Sequence, residues 1–366
     1  MKRAIVLLLG SALCAGTLAL PLLSQAADAK APAAKAAVKA YKAPRTSFGQ
    51  PDLGDYWSNA SITSESRPGN LGDRLVYTPE EVKKLENEVA TEVEVGNKGT
   101  DPNAPPPTVG GDKVPAGIRQ SFAAADGASG GYDRGWLDPG ASVMRVNGEP
   151  RTSFITTQNG RAPAKKAGAP TYPGRARTPG MGAYDNPENL SLGERCIISF
   201  GRNAGPPMFP NGFYNNNYHF SQSPSTVVIE VEMVHDVRVV RLNAKHRTDD
   251  VRPYMGDSIG WWEGDTLVVE TNHIPQAQAY NGAWKDLTVT EKFTRVGDKR
   301  LHYQFIINDP TMWEKPWGGE YEMMPLNGRT MEYACHEGNY ALEGILAGAR
   351  EDERVARTKT AAAAPR

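Results

Sequence analysis

No sign of charge dominates this chain: 41 Lys and Arg oppose 42 Asp and Glu over 366 residues. That balance supplies no field to draw nucleic acid or an anionic membrane, so neither is expected as a partner. Metal signatures are missing too. The six histidines (His219, His235, His246, His273, His302 and His336) include no H-E-x-x-H, and neither C-x-x-C nor an EF-hand loop occurs. Only a metal site assembled from distant residues is left open. There is no glycine-rich phosphate or dinucleotide loop and no C-x-x-C-H haem attachment, so no cofactor is expected. Cysteine is scarce, at three residues.

What is abundant is glycine and proline, 37 and 28 residues, well above the combined average of about 12%. They follow no period, which excludes collagen and simple low complexity. Their number argues for many turns and against a helical bundle or coiled coil. Hydrophobic residues make up 39%, enough for a packed core.

The first residues do not belong to the fold. Lys2 and Arg3 precede an apolar run, Ala4 to Leu23, broken by Gly10 and Pro21, and Ser24-Gln25-Ala26 offers small residues to a signal peptidase. A transmembrane anchor is the competing reading, and the breaks and the small-residue site argue against it. Residues 1–26 therefore read as a signal peptide, and the mature protein as periplasmic or secreted, with no stable membrane anchor. Cleavage removes Cys14 and leaves Cys196 and Cys335. In an oxidising compartment two cysteines more often pair than act, and a bond closing so long a loop is worth roughly 4–5 kcal/mol. The alternative is a thiolate at Cys335 beside His336, although neighbouring strand residues point to opposite faces.

Residues 27–44 form an Ala/Lys/Pro tract that reads as a disordered tether. Residues 45–150 are expected to wrap the domain, with one main helix near 79–93. Thr78-Pro79-Glu80-Glu81 gives it an N-cap, a first-turn proline and a capping-box glutamate ahead of Val82, Leu85 and Val89. Gly96 to Gly117 and Gly160 to Gly182 read as long loops. Residues 350–366 read as a disordered tail.

Residues 151–349 carry a β pattern. Thr226–Val234 and Val237–Leu242 flank His235-Asp236, read as a two-residue hairpin turn that sets Glu230 opposite Arg241 as an ion pair. Ser258–Trp262, Thr266–Thr271, Leu287–Val296, Leu301–Asn308, Gly319–Met324 and Arg329–His336 are further candidate strands. Short strands with tight turns predict a mainly β fold, an antiparallel β-barrel or sandwich, rather than βαβ units.

Several runs are familiar in this order: Pro51-Asp-Leu-Gly-Asp-Tyr-Trp57, Trp136-Leu-Asp-Pro-Gly140, Gly193-Glu-Arg-Cys196, Ala204-Gly-Pro-Pro-Met208 and Gly212-Phe-Tyr-Asn-Asn-Asn-Tyr218. Glu232-Met-Val-His-Asp236, Gly256-Asp-Ser-Ile-Gly-Trp-Trp-Glu-Gly-Asp-Thr266 and Glu332-Tyr-Ala-Cys-His-Glu-Gly-Asn-Tyr340 follow. Across most of residues 45–350 the chain resembles a large group of exported bacterial proteins of uncharacterised function. The resemblance implies a lipocalin-like barrel and carries over no catalytic residue. Those relatives have Gly-x-Trp in the opening motif, the pattern with which calycin barrels plug one end; here Asp55 stands at the glycine position before Tyr56-Trp57.

Gly256-Asp-Ser-Ile-Gly260 fits G-x-S-x-G, but a nucleophile elbow needs a following helix, and Trp261-Trp262 with a Glu-Gly turn predicts strand and hairpin instead. The polar residues expected near hairpin ends are His336, Glu337, His235 and Arg238, as candidates for chemistry, and Asn217, Tyr218 and Asp236, with Trp262, as candidates for ligand contact. Trp261, Trp313, Trp317, Phe293, Tyr303 and Phe305 suit an apolar lumen. Two functions stay open: a barrel binding a small apolar or aromatic molecule, or a cofactor-independent lyase, isomerase or hydrolase acting on one.

Overall fold

Alternation of inward and outward residues builds this molecule. The structure, a computed structural model, describes residues 41–96, 140–170, 182, 184–199, 202–210 and 215–363. The expected signal peptide, most of the expected tether and the stretch 97–117 lie outside the described residues. The strands are β1 (Tyr56–Ser58), β2 (Arg145–Val146), β3 (Glu149–Pro150), β4 (Asn217–Gln222), β5 (Thr226–Val231), β6 (Asp236–Leu242), β7 (Asp257–Glu263), β8 (Thr266–Asn272), β9 (Thr288–Gly297), β10 (Arg300–Asn308) and β11 (Trp317–Pro325). The helices are α1 (Pro79–Gly96) and α2 (Ala341–Ala363). All strands but β2 and β3 close into a barrel in the order β1-β11-β10-β9-β8-β7-β6-β5-β4, and β1 completes it by pairing with both β11 and β4.

Residues two apart share a face, so each strand sends alternate side chains into the lumen. Val227, Ile229 and Val231 of β5, Leu267, Val269 and Thr271 of β8, and Val289, Glu291 and Phe293 of β9 are buried there. Leu301, Tyr303, Phe305 and Ile307 of β10 continue the layer, and Trp57, Phe220, Tyr321 and Met323 complete it. At Gly319 an added Cβ would lie 2.3 Å from Phe154 O and 2.6 Å from Phe305 Cζ, so only glycine lets the chain at Phe154–Ile155 cross β11. The lumen is packed with side chains rather than left as a tube.

The mainly β barrel matches the sequence expectation, with five differences. The barrel is mixed: β6 and β7 run parallel, because residues 243–256 carry the chain back along the wall without a strand. His246 and the Arg247 N–H anchor that return on Asp257, at 2.9 Å each. The β5–β6 connection is Glu232–His235, not a two-residue turn, with Val234 and His235 at positive φ. Glu230 accordingly faces Val237, and Arg241 faces Thr226. The expected Glu230–Arg241 pair is replaced by His219–Glu230 at 3.4 Å and Arg241–Asp257 at 2.7 Å. The shift is an even number of residues, so the faces survive although the partners change.

No strand forms over 329–336, where the chain is turn and irregular. The expected tail is helix α2 as far as Ala363, rich in Ala, Leu, Glu and Arg and braced by the exposed pairs Arg350–Glu353 and Arg354–Glu351. Helix α1 begins as its sequence requires: Thr78 Oγ1 accepts the Glu81 N–H at 3.3 Å, and Glu81 Oε2 accepts the Thr78 N–H at 2.8 Å. The expected tether is ordered by its end, with Ala43 buried and the Asp52 N–H donating to Pro44 O at 2.8 Å.

Candidate functional site

One end of the barrel is sealed by Trp57. Its indole is fully buried and donates to Leu53 O at 3.1 Å, while the Arg295 guanidinium lies over the ring at 5.4 Å from its centroid. Arg295 donates to Asp52 O at 3.2 Å, and its Nη2 lies 3.6 Å from Asp55 Oδ2. Asp55 thus supplies a countercharge to the arginine that lies over the Trp57 ring.

At the centre of the lumen, Arg238 from β6 meets Glu291 from β9. Nη1–Oε2 is 2.5 Å and Nη2–Oε1 is 3.1 Å, and both side chains are within 1% of complete burial. Tyr303 donates to Glu291 Oε1 at 2.8 Å. Burial pulls the Arg238 pKa down, but the carboxylate and its hydrogen bonds outweigh burial and hold it above its ordinary value. Burial, reinforced by Glu291, holds the Tyr303 phenol well above 10. Tyr218 and Tyr321 are raised as well, by burial first. The phenols are therefore neutral hydrogen-bonding groups beside a charged pair. Asn59 Nδ2 joins Tyr218 Oη at 3.0 Å and Tyr321 Oη at 3.1 Å.

The other end is filled by residues 202–210. Met208 and Phe209 are buried in the core, and Phe209 packs edge-on against Phe305 with centroids 5.1 Å apart. Arg202 stands over the Tyr280 ring at 4.9 Å, and Tyr280 donates to Glu65 Oε1 at 2.6 Å.

The residues singled out in the sequence divide between these regions. Arg238 and Tyr218 reach the lumen centre. Asn217 and Asp236 sit at the rim, where Asn217 Nδ2 donates to Glu232 Oε2 at 2.5 Å and Asp236 Oδ2 accepts the Ser199 N–H at 2.7 Å. Burial raises the Asp236 pKa above the usual aspartate value. Trp262 faces inward, half-buried, towards the end that Trp57 seals. His235, His336 and Glu337 are exposed and do not line the lumen or either of the two outer-wall cavities described below. The structure therefore does not bring the four residues expected to carry chemistry into one site. Cys196 and Cys335 are joined as a disulfide. Ser258 is buried on β7 against Thr271 at 2.8 Å, with β8 following it in place of an elbow's helix. Trp261 turns outward and donates to Glu263 Oε1 at 3.0 Å.

Glu291, Met208 and Asn59 were not singled out. Glu291 had a readable signal, a lone carboxylate between Val289 and Phe293 on an otherwise apolar face. Met208 stood out only as the end of the run Ala204-Gly-Pro-Pro-Met208, which does not reveal a place in the lumen because that place depends on a loop. Outside the lumen, a cavity of about 480 Å³ lies on the outer wall over Lys292, Gln304, Ile306 and Glu320. A second, of about 470 Å³, follows the seam between β6 and β7 past Val237, Arg241, Tyr254 and Asp257. Comparison with known proteins returns no matching family model, no matching curated protein and no matching solved structure.

Proposed function

We propose that this is an exported barrel that binds a small, largely apolar, aromatic molecule at the polar centre of its lumen. The observation that carries the reading is the bidentate Arg238–Glu291 pair, fully buried with Tyr303 among Phe293, Phe305 and Tyr321. A buried ion pair returns little net stability over apolar side chains of similar volume, so its presence suits a binding site better than a plain core. Aromatic walls around a few convergent polar groups are the usual make-up of a small-molecule site. Export is supported by the Lys2-Arg3 leader pattern and by the Cys196–Cys335 bond, which persists in oxidising compartments. No helix among the described residues is long and apolar enough to cross a membrane.

The test is thermal-shift screening against a panel of aromatic metabolites. A ligand at 100 times its dissociation constant stabilises the native state by about 2.7 kcal/mol. The shift should vanish in a protein carrying Arg238→Met with Glu291→Leu. An undiminished shift in that variant would place the site elsewhere. N-terminal sequencing of the exported protein should begin at Ala27.

A further inference from the structure

The lumen centre is in contact with the chain's own backbone. Tyr218 donates to Asn203 O at 2.9 Å, and Tyr321 donates to Met208 O at 2.8 Å. Tyr303 accepts the Met208 N–H at 2.8 Å. One peptide segment thus engages the hydroxyls of Tyr218, Tyr303 and Tyr321 together. The Met208 side chain is fully buried, with Sδ 3.2 Å from Arg238 Nη2. A thioether sulfur is a weak acceptor, and Arg238 Nε has no hydrogen-bond partner although it is buried. The guanidinium therefore holds donor capacity that Met208 leaves unused.

We propose that Met208 and Phe209 act as an internal ligand that gives way to an uncharged aryl amide. The proposal rests on the lumen reading above and names the ligand class for it. Charge comes first. Arg238 and Glu291 cancel, so an entering anion would leave one buried charge uncompensated, whereas a neutral molecule would not. Hydrogen bonding comes second. Tyr303 and Tyr321 hold the N–H of Met208 and its C=O, and a ligand amide supplies the same donor and acceptor types. Shape is third. Phe209 stands between Phe305 and Tyr280, with centroids at 5.1 Å and 5.8 Å, which marks out a ring-sized apolar place beside the amide.

The experiment uses the intact, disulfide-bonded protein. Native-state hydrogen exchange is read at the Met208 amide, and the Met208 methyl resonance is followed while N-methylbenzamide or benzoate is added. Exchange at Met208 should proceed by local opening, faster than at Glu291 and Tyr303, which exchange on global unfolding. N-methylbenzamide should shift the Met208 methyl signal and bind more than about tenfold more tightly than benzoate, whose carboxylate, set beside Tyr303 and Tyr321, would unbalance the Arg238–Glu291 pair. Met208 exchange at the global rate would overturn the proposal by making the segment permanent core. Benzoate binding as tightly, or N-methylbenzamide leaving the Met208 signal unmoved, would overturn the ligand class. Any of these results leaves the thermal-shift test of lumen binding standing on its own.

Discussion

Arg238 and Glu291, 53 residues apart in sequence, face each other across the lumen in a two-pronged hydrogen-bonded pair that solvent does not reach. Each charge depends on the other. Glu291→Leu alone should destabilise the protein by about 3–5 kcal/mol, because it leaves a guanidinium buried without a partner. Adding Arg238→Met should recover most of that loss. Urea unfolding of the two single variants and the double variant checks this, and additive losses would contradict it.

The bond between Cys196 and Cys335 spans 139 residues. Constraining so long a loop in the unfolded chain is worth about 5 kcal/mol, less whatever structure that chain retains. Reduction, or Cys196→Ser with Cys335→Ser, should lower the urea midpoint. An unchanged midpoint would mean that the bond does not constrain the unfolded chain as expected.

Two carboxylates should give opposite pH dependence. His302 holds the Glu320 carboxyl below the usual glutamate value, with Arg151 and Gln304 assisting. Its stabilising contribution is present above the unfolded glutamate pKa and is lost as pH falls through the depressed folded one. Burial raises Asp236, so its ionised form opposes folding, and that penalty is relieved as pH falls through its folded pKa. Glu320→Gln should therefore cost stability at neutral pH and little in acid. Asp236→Asn should be no less stable than the parent at neutral pH, with any gain shrinking in acid. Chemical denaturation over a pH series reads both, and a neutral-pH loss from Asp236→Asn would contradict the sign.

Gly319→Ala would push a methyl group to 2.3 Å from Phe154 O, a backbone atom with no room to yield. Overpacking of this kind typically costs 1–3 kcal/mol. Here the loss should reach the upper part of that range and appear in near-ultraviolet circular dichroism as loosened packing around Phe305. A stable, unperturbed variant would show that the crossing at β11 is slack.

The barrel was legible in the sequence because alternation is local. Val289, Glu291 and Phe293, or Leu301, Tyr303 and Phe305, declare a shared face without reference to any partner strand. Pairing is not local in the same way. Glu230 meets His219 rather than Arg241 because Val234 and His235 adopt left-handed conformations and lengthen the turn, which residue type alone does not announce. The site was half legible. Tyr218 and Arg238 were visible as polar residues expected near hairpin ends, whereas Met208 comes from a Pro/Gly segment whose destination only the folded barrel fixes. His336 and Glu337 were read from a strand pattern that no neighbouring edge accepts, and they lie exposed beyond the end of β11.

The central claim is that ligands bind inside the barrel and not on its wall. Backbone amide chemical-shift mapping with the tightest binder from the aromatic panel tests it most directly. The account predicts shifts centred on Met208, Glu291 and Tyr303. Shifts confined to Lys292, Gln304 and Glu320 on the outer wall, or to the seam at Val237 and Asp257, would contradict it, as would a panel in which nothing binds.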